Sequence, residues 1–128
     1  MKRSTEERNA VRKLFAELVA SEISQFPKKR ERLVAPTHRG VYVIYDARGK
    51  VVHVGRTPKA QGGIAQRLQN HMATASSFTL KYKPLKGDGS KLRGKYAFRC
   101  LPVQSRRLRA LLEAYAIGEL CPAHIGLG

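Results

Sequence analysis

Between residues 41 and 54 the chain carries two short apolar runs with a polar interval between them. Val41-Tyr42-Val43-Ile44-Tyr45 is β-branched and aromatic, and Val51-Val52-His53-Val54 repeats that character. Such residues suit a pleated, half-buried surface. The interval Asp46-Ala47-Arg48-Gly49-Lys50 has turn chemistry, because Asp bonds its own backbone and Gly accepts positive φ. The pattern predicts a β-hairpin. A connection of even length puts Tyr42 and His53 on one face; an odd length or a bulge puts them on opposite faces.

A helical period governs both ends of the chain. Ser4-Thr5-Glu6-Glu7 fits a capping box, and Val11, Leu14, Phe15, Leu18, Val19, Ile23 and Phe26 recur at helical spacing. These predict an amphipathic helix ending near Pro27, its stripe packed on the following domain or on a second copy. Lys28-Lys29-Arg30-Glu31-Arg32 reads as a solvated linker, so residues 1–37 form an appendage and 38–128 the main domain. After a loop over 56–63, a helix is predicted from about Ile64 to Thr74. Ile64, Leu68 and Met72 make its apolar ridge, with Arg67 and His71 side by side next to it. Residues 75–93 are basic and rich in breakers and read as a long loop with a short strand at Phe78–Tyr82. A third strand follows over Lys95–Val103. Ser105 then caps a helix that Pro122 stops, with a stripe of Leu108, Leu111, Leu112, Tyr115 and Ala116. The fold expected is α/β of the α+β kind: a small, mostly antiparallel three-stranded sheet flanked by helices, preceded by an extra helix.

Charge adds a partner to this picture. The chain has 128 residues and a net charge of +16, with 25 basic residues against nine acidic ones. From residue 38 onward the acids are Asp46, Asp88, Glu113 and Glu119 alone. Such an excess is self-repulsive in a folded domain and points to a polyanion. The cations are spread over every element instead of one helical face, which favours nucleic acid over a lipid surface. No apolar stretch is long enough to span a bilayer or resembles a secretory signal, so an intracellular, cytoplasmic protein is expected. Cys100 and Cys121 make neither a disulfide framework nor a zinc motif and are expected to be reduced.

Gly40-Val41-Tyr42 and His53-Val54-Gly55, with Tyr42 and His53 eleven residues apart, resemble the paired motifs of the GIY-YIG nuclease superfamily. His53 stands where that family usually has Tyr. Two later features match its order: Arg67 followed four residues on by His71, and Glu113 on the last helix ahead of Pro122. The resemblance covers roughly residues 39–124. It implies hydrolysis of DNA phosphodiesters with one Mg²⁺ or Mn²⁺, held by Glu113.

On that resemblance Arg67 binds the phosphate and neutralises charge in the transition state, as the guanidinium fork allows. Mg²⁺ takes oxygen ligands and keeps several waters, so one carboxylate plus a phosphate suffices. Tyr42 is the family's base, but a phenol titrates near 10 and needs cations or a relay to release its proton. His53 could relay or be the base itself; His71 could bond the phosphate or orient Tyr42. Glu119 lies nearer the middle of the apolar stripe than Glu113, so the metal ligand is one or the other, with family register favouring Glu113. His124 is the nearest match to a polar residue usual in the family's tail. Arg56, Lys59, Lys81, Lys83, Lys86, Lys91 and Arg93 are expected along the nucleic-acid path. The alternatives are a non-cleaving nucleic-acid-binding module on the same fold and a basic RNA- or ribosome-associated protein. A homodimer for double-strand cleavage is a further option, and DNA is not separated from RNA.

Overall fold

The computed structural model describes residues 2–58 and 62–126. In it the alternation over 41–45 sorts side chains to two faces of a sheet. Val41 and Val43 join one apolar cluster; Tyr42 and Ile44 join another. The elements in order are α1 (Lys2–Ala20), β1 (Ser24–Gln25), β2 (Gly40–Tyr45), β3 (Val51–Arg56), α2 (Gly63–Met72), α3 (Ser77–Lys81), 3₁₀ turns at Lys83–Leu85 and Gly89–Leu92, β4 (Ala97–Pro102) and α4 (Arg106–Leu120). All strand pairings are antiparallel, in the order β1-β4-β2-β3.

One face of the sheet packs on α1 and α4, through Leu18, Val41, Val43, Val54, Val103, Leu112 and Ala116. The opposite face is covered by α2, α3 and the 3₁₀ turns, through residues such as Tyr42, Ile44, Ile64, Leu68, Phe78, Leu85 and Leu92. Each fully buried aliphatic or aromatic side chain contributes roughly 1.5–3 kcal/mol. β2, clamped between β3 and β4 with both faces covered, is the centre of the molecule, and residues 41–44 have no exposed surface.

The expected α+β fold with an additional amino-terminal helix is present, with two corrections to its elements. The sheet has a fourth strand. The first helix ends at Ala20, not near Pro27, and Ser24–Gln25 pairs with Phe98 and Ala97. Phe26 leaves the helical stripe for the opposite core, edge-on to Phe98 at 5.1 Å, and Ile23 lies half exposed. Nor does that helix wait for the Ser4 capping box; it is already formed at Lys2. Its stripe packs on this chain's own α4: Phe15 meets Tyr115 edge-on at 5.2 Å, and Glu7 pairs with Arg107 at 2.6 Å.

The second correction is at 78–82, which is not a strand. The Ser76 hydroxyl accepts the Thr79 amide and starts a helix that buries Phe78. At the far end of the chain, Ser105 caps α4 as expected by accepting the Leu108 amide at 3.2 Å. After α4 the tail runs back along β3: the amides of Ala123 and His124 donate to the carbonyls of Val51 and Val52. Among the described residues no helix is long and apolar enough to cross a membrane.

Candidate functional site

The hairpin connection, residues 46–50, is odd in length, which alone would send Tyr42 and His53 to opposite faces. A bulge reverses this. Tyr45 pairs with Val51 but Ile44 pairs with His53, so Val52 is an extra residue in β3. The two shifts in parity cancel, and the Tyr42 and His53 rings share a face with centroids 6.1 Å apart. Directly opposite Tyr42 lies Gly55, where any Cβ would collide with the phenol hydroxyl.

α2 delivers the next groups. It starts at Gly63, whose φ of +56° suits glycine and whose missing Cβ leaves room for the Thr37 and His38 carbonyls. From its last turn His71, fully buried, points its Nε2 at the Tyr42 hydroxyl at 2.7 Å. The other ring nitrogen, Nδ1, is 2.7 Å from Ser76 Oγ, which lies 3.1 Å from Thr79 Oγ1. Thr79 in turn donates to the Ser76 carbonyl at 3.0 Å. One hydrogen assignment uses every link. Tyr42 donates to Nε2, Nδ1–H to Ser76, Ser76 to Thr79, and Thr79 to the carbonyl.

Both ends of the Tyr42–His71 bond are uncharged at rest. Burial pushes the phenol well above its ordinary value, against the pull of the Arg67 guanidinium and with a push from the Glu113 carboxylate. Burial and the neighbouring His53, Arg67 and His124 drop His71 to about 2. His53 falls to about 3, again through burial first and then His124 and Arg67. His53 stacks on Phe78 at 4.5 Å and 12° and lies 3.2 Å from His124, Nδ1 to Nδ1. Tyr82 also stacks on Phe78, at 5.4 Å and 22°.

A cleft of about 370 Å³ opens beside this group, lined by Arg56, Thr57, Pro58, Arg67, Arg106, Arg109, Ala110 and Glu113. Glu113 reaches it from α4. Its Oε1 accepts from Arg56 Nη1 at 3.0 Å, and burial raises its carboxyl while Arg56 and Arg67 pull it back. Glu119, the alternative metal ligand, is exposed and does not line the cleft. Among the described residues no group of three or more His, Cys, Asp or Glu is arranged to hold a metal. A single half-buried carboxylate on an open cleft fits a Mg²⁺ or Mn²⁺ that keeps its waters and takes further oxygens from a phosphate; it does not fit an all-protein cage.

Tyr42, His53, Arg67, His71, Glu113 and His124 thus lie together. The proposed nucleic-acid path is more dispersed. Arg56 lines the cleft, Lys59 lies outside the described residues, and Lys81, Lys83, Lys86 and Lys91 are exposed on α3 and the 3₁₀ turns. Burial first, and then Lys81 nearby, lower the basicity of His124. Arg93 is engaged by the linker: its Nη1 donates to the carbonyls of Lys28 and Glu31 at 3.2 and 3.0 Å. Sequence reasoning missed Ser76, Thr79 and Arg109. Ser76-Ser77-Phe78-Thr79, five residues after His71, carries a helix-cap signal that could have found the first two.

No family model matches the chain, and no curated protein or solved structure does.

Proposed function

We propose that this chain is a metal-dependent endonuclease that hydrolyses DNA phosphodiester bonds. The observation that carries the reading is the neutral Tyr42–His71 hydrogen bond of 2.7 Å at a cationic cleft, where Arg67 and Glu113 both act on the same phenol. A phenol held this way releases its proton only as it gains another, and His71 Nε2 is aligned to take it. In the proposed step an attacking water gives its proton to the Tyr42 oxygen while Tyr42 gives its own to His71. The water oxygen bonds to phosphorus and the bond to the leaving oxygen breaks. The negative phosphate offsets the imidazolium that forms, and Ser76 keeps Nδ1–H in place throughout.

Arg67 binds the phosphate oxygens through its fork and faces the charge that builds on them. Glu113 would hold a divalent cation, which supplies stabilisation of the leaving oxygen when bound. Arg56 must then release the carboxylate, and a phosphate is the natural new partner for it. His53, stacked and neutral, shields the Tyr42–His71 pair from water in preference to acting as base. Intracellular DNA is the partner this reading implies, with paired copies as one route to cutting both strands.

The test is nicking of supercoiled plasmid with Mg²⁺ or Mn²⁺ by the parent, Tyr42→Phe and Glu113→Ala. Metal-dependent nicking lost in both variants supports the reading. Tight, salt-sensitive DNA binding without cleavage, unaltered in Glu113→Ala, would instead indicate a binding module.

A further inference from the structure

α4 begins with Arg106, Arg107 and Arg109, and its first turn contains no acid. That is the positive end of the helix dipole, where cations are disfavoured and anions bind. Arg107 is accounted for by its pair with Glu7 on α1. Arg106 and Arg109 instead line the cleft with Arg56 and Arg67, and among the described residues Glu113 is the one acid on its wall. Four guanidinium groups thus line a cleft whose carboxylate Arg56 already engages.

Arg109 shows the imbalance most directly. It is only 2% exposed, and its Nη1 donates to the carbonyls of Val103 and Gln104 at 3.1 and 2.8 Å. Its Nε has no hydrogen-bond partner among the described residues. Burial and the charges of Arg39, Arg106 and Arg56 all weigh against its cation. A buried guanidinium whose Nε is left without a partner is costly, and an anion would supply one. Arg99 Nε is also unpartnered, but that side chain bonds the Val19 carbonyl beside the Tyr45 ring and does not line this cleft.

We propose that the α4 end of the cleft is a second phosphate subsite, built by Arg106, Arg109 and Arg56, for the phosphate next to the scissile one on the same strand. It rests on the reading of Tyr42, Arg67 and Glu113 as the cleavage centre. Arg109 and Arg106 precede Glu113 by about one and two helical turns, or about 6 and 10 Å along the axis, on the same face. Ala110, between them, carries only a methyl and leaves the space open. Two successive phosphates bridge that span as a single phosphate would not. The favoured substrate is therefore an internal linkage with a charged neighbour, and a strand that ends at the scissile phosphate binds less tightly.

The experiment is binding without divalent metal, so that cleavage does not enter. A 5′-phosphorylated thymidine dinucleotide, which carries two successive phosphates at strand spacing, serves as the two-phosphate probe, with the arginine Nε–Hε resonances of the parent as readout. A short single-stranded DNA gives the salt dependence of binding for the parent, Arg106→Ala and Arg107→Ala. The Arg109 resonance is expected to shift on saturation, and Arg106→Ala to weaken the dinucleotide about tenfold. Arg106→Ala also lowers the salt slope by about 0.7, whereas Arg107→Ala leaves it unchanged. An unmoved Arg109 resonance, or equal slopes in the two variants, overturns the subsite. Absence of nicking alongside these shifts would count against the cleavage centre alone and leave the subsite supported.

Discussion

Replacing Ser76 with Ala tests the hydrogen-bonded chain behind Tyr42. The hydroxyl caps α3 through the Thr79 amide and accepts from buried His71 at Nδ1. Loss of a cap costs about 1 kcal/mol. A buried ring N–H left without an acceptor adds about 1–3 kcal/mol. Because one oxygen serves both, the expected total is about 2–3 kcal/mol. At about 2.1 cal/mol/K of unfolding entropy per residue, 128 residues convert this to roughly 7–11 °C in Tm. Urea unfolding measures the energy, and long-range ¹H–¹⁵N spectra of His71 report its tautomer. Thr79→Val removes the last two links but leaves Ser76 to accept from His71, so it should cost about 1–2 kcal/mol with the tautomer unchanged. In Ser76→Ala the Nδ1–H form should lose its dominance, and nicking at a temperature where the variant is folded should fall about tenfold. A loss below about 1 kcal/mol with the tautomer unchanged would refute the relay and reduce Ser76 to a helix cap.

Four further outcomes are expected. Gly55→Ala, whose Cβ meets the Tyr42 hydroxyl, should match Tyr42→Phe in abolishing nicking and should also break the bond to His71, visible in the same spectra. Stability should fall on acidification: His71 and His53, held near 2 and 3 in the fold, stay neutral while the unfolded chain protonates below about 6.5. The unfolded state then binds more protons, so the loss approaches about 2.7 kcal/mol per pH unit for the two groups between about pH 6 and 4. Urea midpoints independent of pH there would contradict it. Arg56→Ala frees Glu113, so the metal concentration for half-maximal nicking should fall by up to about fivefold while KM for DNA rises. Arg93→Ala releases two linker carbonyls and should cost about 1–2 kcal/mol in a denaturation curve, with nicking at saturating DNA unchanged.

Those parts of the molecule that depend on neighbours in sequence were legible. The hairpin, the helix bearing Arg67 and His71, and the Ser105 cap each rest on contacts within a few residues. Ser24–Gln25 was not, because a two-residue strand exists only by pairing with β4, some seventy residues on. Phe78-Thr79-Leu80-Lys81-Tyr82 alternates apolar and polar like a strand, but the Ser76 cap and burial of Phe78 against His53 turn it into a helix. At the site, residue types pointed to Tyr42, His71 and Glu113, yet the facing of Tyr42 and His53 depended on a bulge that no local pattern announced. Arg109 stayed hidden because a buried cation reads in sequence like any other helix-surface arginine.

The tail that returns along β3 has a consequence for how copies of this chain meet. β3 is the outermost long strand, and its unpaired carbonyls form a template onto which another strand can add. Ala123 and His124 occupy two of those carbonyls, at Val51 and Val52, and His124 closes over His53. Removing the chain from residue 123 onward would uncover that template and wet the site in one step. Edge-to-edge association would then grow as the neutral histidines lost their cover, so Ala123 and His124 guard both the sheet edge and the residues beneath it.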